Sequence, residues 1–73
     1  KIPVSKAKPG DLLFFSKRGF GKPTHVALVV ANSRDGVVVI HSTTSRGVIE
    51  ENVSRSSYWK PKMLYARDIL SDI

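Results

Sequence analysis

Three short runs in this 73-residue chain are apolar at every position: Leu12-Leu13-Phe14-Phe15, Val26-Ala27-Leu28-Val29-Val30-Ala31 and Val37-Val38-Val39-Ile40. They are short, rich in β-branched or aromatic side chains and bounded by turn residues, so they predict strands rather than helices. Successive side chains of a strand point to opposite faces, and an unbroken apolar run therefore asks for burial on both. A sheet with one wet face would alternate apolar and polar residues instead. A chain of this size buries only about 60% of its unfolded surface and can hardly cover two faces of one sheet. Two solutions stay open: closure into a small barrel, or a second layer brought by a helical segment, another chain or a second copy.

The rest of the chain reads as connections between further strands. Pro9-Gly10-Asp11 is a turn signal, and residues 16–24, with Gly19, Gly21 and Pro23, form a loop. Residues 32–36 are a turn between the strands that start at His25 and end at His41. Residues 42–47 are polar and turn-like, Val48-Ile49-Glu50-Glu51 is a short strand, and residues 54–61 are a loop carrying Tyr58-Trp59. Met63-Leu64-Tyr65-Ala66-Arg67 is the last strand. Neither a helical period nor an internal repeat is present. The expectation is a mainly β chain, an antiparallel sheet of about five strands, with residues 1–73 forming one partial domain.

Twelve Lys and Arg against six Asp and Glu give a net charge of +6, which favours anionic partners. The cations are scattered, and no RNA-binding aromatic motif or zinc-finger spacing accompanies them, so no nucleic acid is expected. With no cysteine and two histidines sixteen residues apart, no metal site and no cofactor are expected. No apolar stretch reaches the length of a membrane span, and Lys1-Ile2-Pro3-Val4 has no signal-peptide core. The chain is expected to begin within a larger polypeptide.

His25 opens one strand of a hairpin and His41 closes the next, which brings them to the same end. Antiparallel partners have a constant sum of residue numbers, set by the turn. A turn centred on Ser33 puts the two histidines opposite each other, and one centred on Arg34 offsets them by two residues on the same face. An even-numbered loop would put them on opposite faces. Taken alone, histidines at strand ends are structural more often than catalytic.

Three consecutive segments carry a family resemblance: Pro9-Gly10-Asp11-Leu12-Leu13-Phe14-Phe15, Thr24-His25-Val26-Ala27-Leu28-Val29-Val30 and Val39-Ile40-His41-Ser42. In order and spacing they resemble the signatures of the NlpC family, papain-like cysteine endopeptidases that cut bacterial peptidoglycan stem peptides. The resemblance continues through Gly47-Val48 and Tyr65-Ala66-Arg67; Ala27 stands where the family often has Gly. It implies that this chain is the sheet half of an α+β papain-like fold. The N-terminal helical half, with the family's Asp-Cys-Ser-Gly-like nucleophile motif, is absent from it. That helical half would be the second layer the apolar strands require.

The same resemblance implies the chemistry. A thiolate attacks the amide carbonyl and forms an acyl-enzyme that water hydrolyses. His25 is the implied base, protonating the leaving amine, and His41 the implied orienting group. The substrates are stem peptides, often cut beside D-glutamate and a diamino acid. The implied location is the bacterial cell envelope or the secreted fraction. Ser42 and Arg46 are candidate substrate contacts, Arg46 for a carboxylate; turn chemistry also accounts for Ser42, and a solvated loop for Arg46. Tyr58 and Trp59 are expected to pack. The alternative function is a non-catalytic SH3-like β module that binds wall peptides or an anionic polymer. Without a thiolate, the chain alone is expected to be inactive.

Overall fold

Lys8-Pro9-Gly10-Asp11 forms the turn that launches the sheet. Gly10 takes a left-handed φ of 93°, and the Asp11 carboxylate accepts the Lys8 N–H at 2.8 Å. Proline followed by a left-handed glycine is the pattern of a type II turn. Asp11 is buried, so its carboxylate closes the turn instead of facing solvent. The structure, a computed structural model, describes residues 1–69. Beyond this turn run five strands: β1 (Leu12–Phe15), β2 (His25–Ser33), β3 (Gly36–Thr43), β4 (Gly47–Asn52) and β5 (Met63–Arg67). All pairings are antiparallel and the order is β4-β3-β2-β1-β5. The edges β4 and β5 do not pair, so the sheet is open and the barrel solution is not adopted. Among the described residues the helical elements are short 3-10 turns, Val4–Lys6, Val53–Arg55 and Lys60–Lys62.

The strands extend beyond their apolar cores. The β2–β3 hairpin closes with Ser33 opposite Gly36, leaving only Arg34 and Asp35 in the loop. Gly36 has a φ of 118°, and a Cβ there would lie 2.6 Å from the Ser54 Cβ. The turn is gripped from that side: Asn52 Nδ2 donates to the Asp35 carbonyl at 2.7 Å, and the Val37 N–H donates to Ser54 Oγ at 2.9 Å.

One face of the sheet holds the core. Leu13, Phe15, Ala27, Val29, Val37, Val39 and Ala66 are buried together with Ala7 and Val53. Ile2, Val4, Trp59 and Met63 pack against them, so the terminal segment and the 53–62 connection cover this face in place of helices. Asn32 ties the N-terminal segment down through a 2.9 Å bond from Nδ2 to the Ala7 carbonyl. The opposite face stays open, with Val26, Leu28 and Ile40 exposed at 46, 40 and 38%. The apolar runs are thus satisfied on one side only.

Candidate functional site

His25 and His41 reach the same face through a register change. The two-residue loop pairs Ser33 with Gly36, Asn32 with Val37 and Ala31 with Val38, each pair summing to 69. That even-loop register would set His25 and His41 on opposite faces. Val30 is an extra residue: beyond it Val29 pairs with Val39 and Leu28 with Ile40, and the sum falls to 68. The bulge moves the start of β2 by one position and turns His25 to the side of His41. His25 Nε2 then stands 2.8 Å from His41 Nδ1, within hydrogen-bond reach.

Aromatic rings fix this pair. Trp59 stacks on His25 with centroids 4.6 Å apart and 23° between planes, and meets His41 and Phe15 edge-on at 5.0 and 5.1 Å. Phe15 closes the floor, 5.4 Å from His25. His41 is buried and His25 half-buried. Desolvation, and secondarily the charge of a protonated His41, lowers the pKa of His25 below its ordinary value.

A carboxylate completes the chain of contacts. In the β3–β4 ladder His41 lies opposite Ile49, which puts Glu51 two residues on, on the same face. Its Oε1 is 3.0 Å from His41 Nε2, and its Oε2 accepts from the Arg46 guanidinium at 3.1 Å. Burial pushes the Glu51 carboxyl up, but the hydrogen bonds from His41 and Arg46, with the charge of Arg46, outweigh it and hold the group below its ordinary value. The sequence placed Glu51 on a short strand without marking its role. The usable signal was its position two residues past the partner of His41 in the β4 register.

Beside His25 opens a groove of about 360 Å³, lined among others by Lys17, Thr24, Arg46, Tyr58 and Lys62. Lys62 is held over the Tyr58 ring, 3.9 Å from its centroid. Arg46 borders the groove while bonded to Glu51. Ser42 also borders it, although strand alternation turns its side chain away from the His41 face. Tyr58 is exposed on the rim, whereas Trp59 packs. The arrangement offers an imidazole at the mouth of a cation-rimmed groove, backed by a second imidazole and a carboxylate. Among the described residues no group of three or more His, Asp or Glu side chains could hold a metal ion.

One antiparallel sheet of five strands is what the sequence led one to expect. The chain matches the NlpC/P60 family over residues 1–68 and belongs to that family of peptidoglycan peptidases. It is 45% identical over 73 residues to gamma-DL-glutamyl hydrolase of Bacillus subtilis (strain 168), an alignment covering 97% of this chain. The chain spans only 17% of that relative's length. No solved structure matches it.

Proposed function

We propose that this chain is the histidine-bearing part of a cysteine endopeptidase that cleaves a γ-glutamyl amide in peptidoglycan stem peptides. The single observation that carries the reading is the 2.8 Å contact between His25 and His41 at the mouth of an open groove. His25 acts as the base: it takes the proton of a thiol and returns it to the leaving amine. His41 holds the ring of His25 in orientation, as the third member of a triad does. A base that must both accept and give a proton needs a pKa near working pH, and the half-buried setting of His25 lowers its affinity for the proton, which favours the bare imidazole that can accept one.

The thiolate comes from elsewhere, because the sequence has no cysteine. The open sheet face carrying Val26, Leu28 and Ile40 is the surface left for the helical half of the same domain, and its cysteine reaches His25 around the end of β2, because both imidazoles lie on the core side. A γ-glutamyl linkage leaves an α-carboxylate beside the scissile amide. Arg46 keeps donors beyond those bound to Glu51, and with Lys62 it forms the wall that receives such a group. Membership of a family of cell-wall hydrolases supports a location for the whole protein in the bacterial envelope or outside the cell, where its polymer substrate lies.

The test joins this chain to a cysteine-bearing helical half of the family and follows release of the amine from a γ-glutamyl stem peptide. Hydrolysis sensitive to thiol alkylation is expected, with a loss of about 100-fold or more for His25→Gln. Unchanged turnover in that variant would remove His25 from the mechanism.

A further inference from the structure

A neutral imidazole carries its proton on one nitrogen only, and which one decides whether a histidine can act as a base toward a given neighbour. Glu51 faces His41 Nε2 at 3.0 Å, and a carboxylate can only accept. His41 Nε2 therefore carries the proton and its Nδ1 is bare. The atom 2.8 Å from that bare nitrogen is His25 Nε2, which must donate. His25 Nδ1 is left without a proton, and it is the ring's remaining acceptor.

We propose that Glu51, gripped by Arg46, is the positioning residue that sets this polarity and so delivers a bare Nδ1 on His25. The reverse polarity keeps the contact between the two rings but is useless to a base. His41 Nδ1–H would then donate to His25 Nε2, and the proton of His25 would sit on Nδ1, the atom meant to receive one. Nothing in the two imidazoles alone chooses between these states. Glu51 excludes the second because it has no hydrogen to offer a bare His41 Nε2.

Its own rotation is blocked. Arg46 holds Oε2 at 3.1 Å, and the turn that carries Arg46 is closed by its N–H on Thr43 Oγ1 and by Thr43 Oγ1 on the Gly47 carbonyl, both 3.0 Å. The His41 side chain is fully buried and that of Glu51 is 17% exposed, so water competes weakly for the contact. The importance of this polarity rests on His25 being the base; the polarity itself does not, and is read without any activity.

The experiment is a long-range ¹H–¹⁵N correlation spectrum of the ¹⁵N-labelled 73-residue chain, recorded at rising pH until the ring nitrogens report neutral imidazoles, whose bare and protonated nitrogens resonate far apart. The unchanged chain should show single tautomers, with the proton on Nε2 of both His25 and His41. A proton on His25 Nδ1 overturns the proposal outright, whatever becomes of the family reading. In Glu51→Gln the amide can either accept or donate, and both rings should shift to mixed tautomers. Glu51→Leu, an apolar side chain suited to a half-buried sheet position, gives the same readout should the Gln variant not fold. Single, unchanged tautomers in a folded variant show that Glu51 does not set them. A merely structural role for Glu51 would change stability and leave the tautomers in place.

Discussion

His25 and His41 meet, 2.8 Å apart, because Val30 is one residue too many for the ladder in which it lies. The loop of Arg34 and Asp35 has the wrong parity for the pair, and the bulge reverses it. Local backbone irregularity is thus what aims the candidate base, and the tight clamp on the hairpin turn preserves the register from which the bulge departs.

Deleting Val30 is therefore expected to straighten the ladder and leave the His25–His41 pair in place. With Val29 joined directly to Ala31, Val29 still faces Val39 and Leu28 still faces Ile40, so Ala27 and Val29 stay in the core and His25 stays on the side of His41. The deletion should cost no more than about 1 to 2 kcal/mol, and Val30→Ala at this half-buried site about 1 kcal/mol. Urea unfolding followed by Trp59 fluorescence measures both. A deletion variant that loses the His25–His41 contact would show that the pairs Val29–Val39 and Leu28–Ile40 do not hold the start of β2 in register.

Trp59 ties site and core together. It stacks on His25 and meets Phe15 edge-on, so Trp59→Leu is expected to lose about 1 to 3 kcal/mol of stability. Because burial is the main cause that lowers the His25 pKa, removing the indole should raise it toward the ordinary value of about 6.5. A proton NMR titration of the imidazole resonances reads this directly. A fall in the His25 pKa on loss of Trp59 would contradict the account of its environment.

The fold and the histidine pair were legible in the sequence to different depths. Strand β5 coincides with the expected Met63-Leu64-Tyr65-Ala66-Arg67, and β1 with Leu12–Phe15, because turn residues and prolines mark their ends. The bulge was not legible: Val29, Val30 and Ala31 carry no glycine or polar residue to announce it, and the register depends on the closure at Ser33 and Gly36. Glu51 stayed hidden for a related reason. Its contact with His41 depends on the pairing of β4 with β3, which residue type alone does not fix.

Acid should destabilise the chain in a defined order. The folded pKa of His25 lies below its unfolded value, so between the two the unfolded chain binds more protons and stability rises with pH. That contribution is complete above about pH 6.5 and is lost as pH falls through the folded value. Glu51, also depressed, contributes fully above its unfolded value near 4.5 and loses that contribution as pH falls through its folded pKa. Denaturant midpoints should stay level from pH 8 to 7 and then fall in two stages, the first absent in His25→Gln. A midpoint that rises on acidification from pH 7 to 5 would have the wrong sign for both groups.

The open face offers the last test. Val26, Leu28 and Ile40 are exposed on adjacent positions of β2 and β3, and Phe14 and Tyr65 continue the surface on β1 and β5 with ring centroids 5.4 Å apart. Contiguous apolar patches beyond a few hundred Å² are uncommon on solitary proteins and mark contact surfaces. Each Å² covered is worth roughly 25 cal/mol, so a helical layer seated here would add a large fraction of a small domain's stability. The isolated chain is therefore expected to bind an apolar dye and to self-associate as its concentration rises. Replacing Leu28 and Ile40 by Thr should abolish both behaviours. It should change the stability of the monomer by no more than about 1 kcal/mol, because both side chains are exposed on the face opposite the core. The same pair of substitutions should weaken assembly with a cysteine-bearing helical half, measured by sedimentation, while leaving the His25 and His41 tautomers unchanged. Assembly of undiminished affinity would place the helical layer on some other surface.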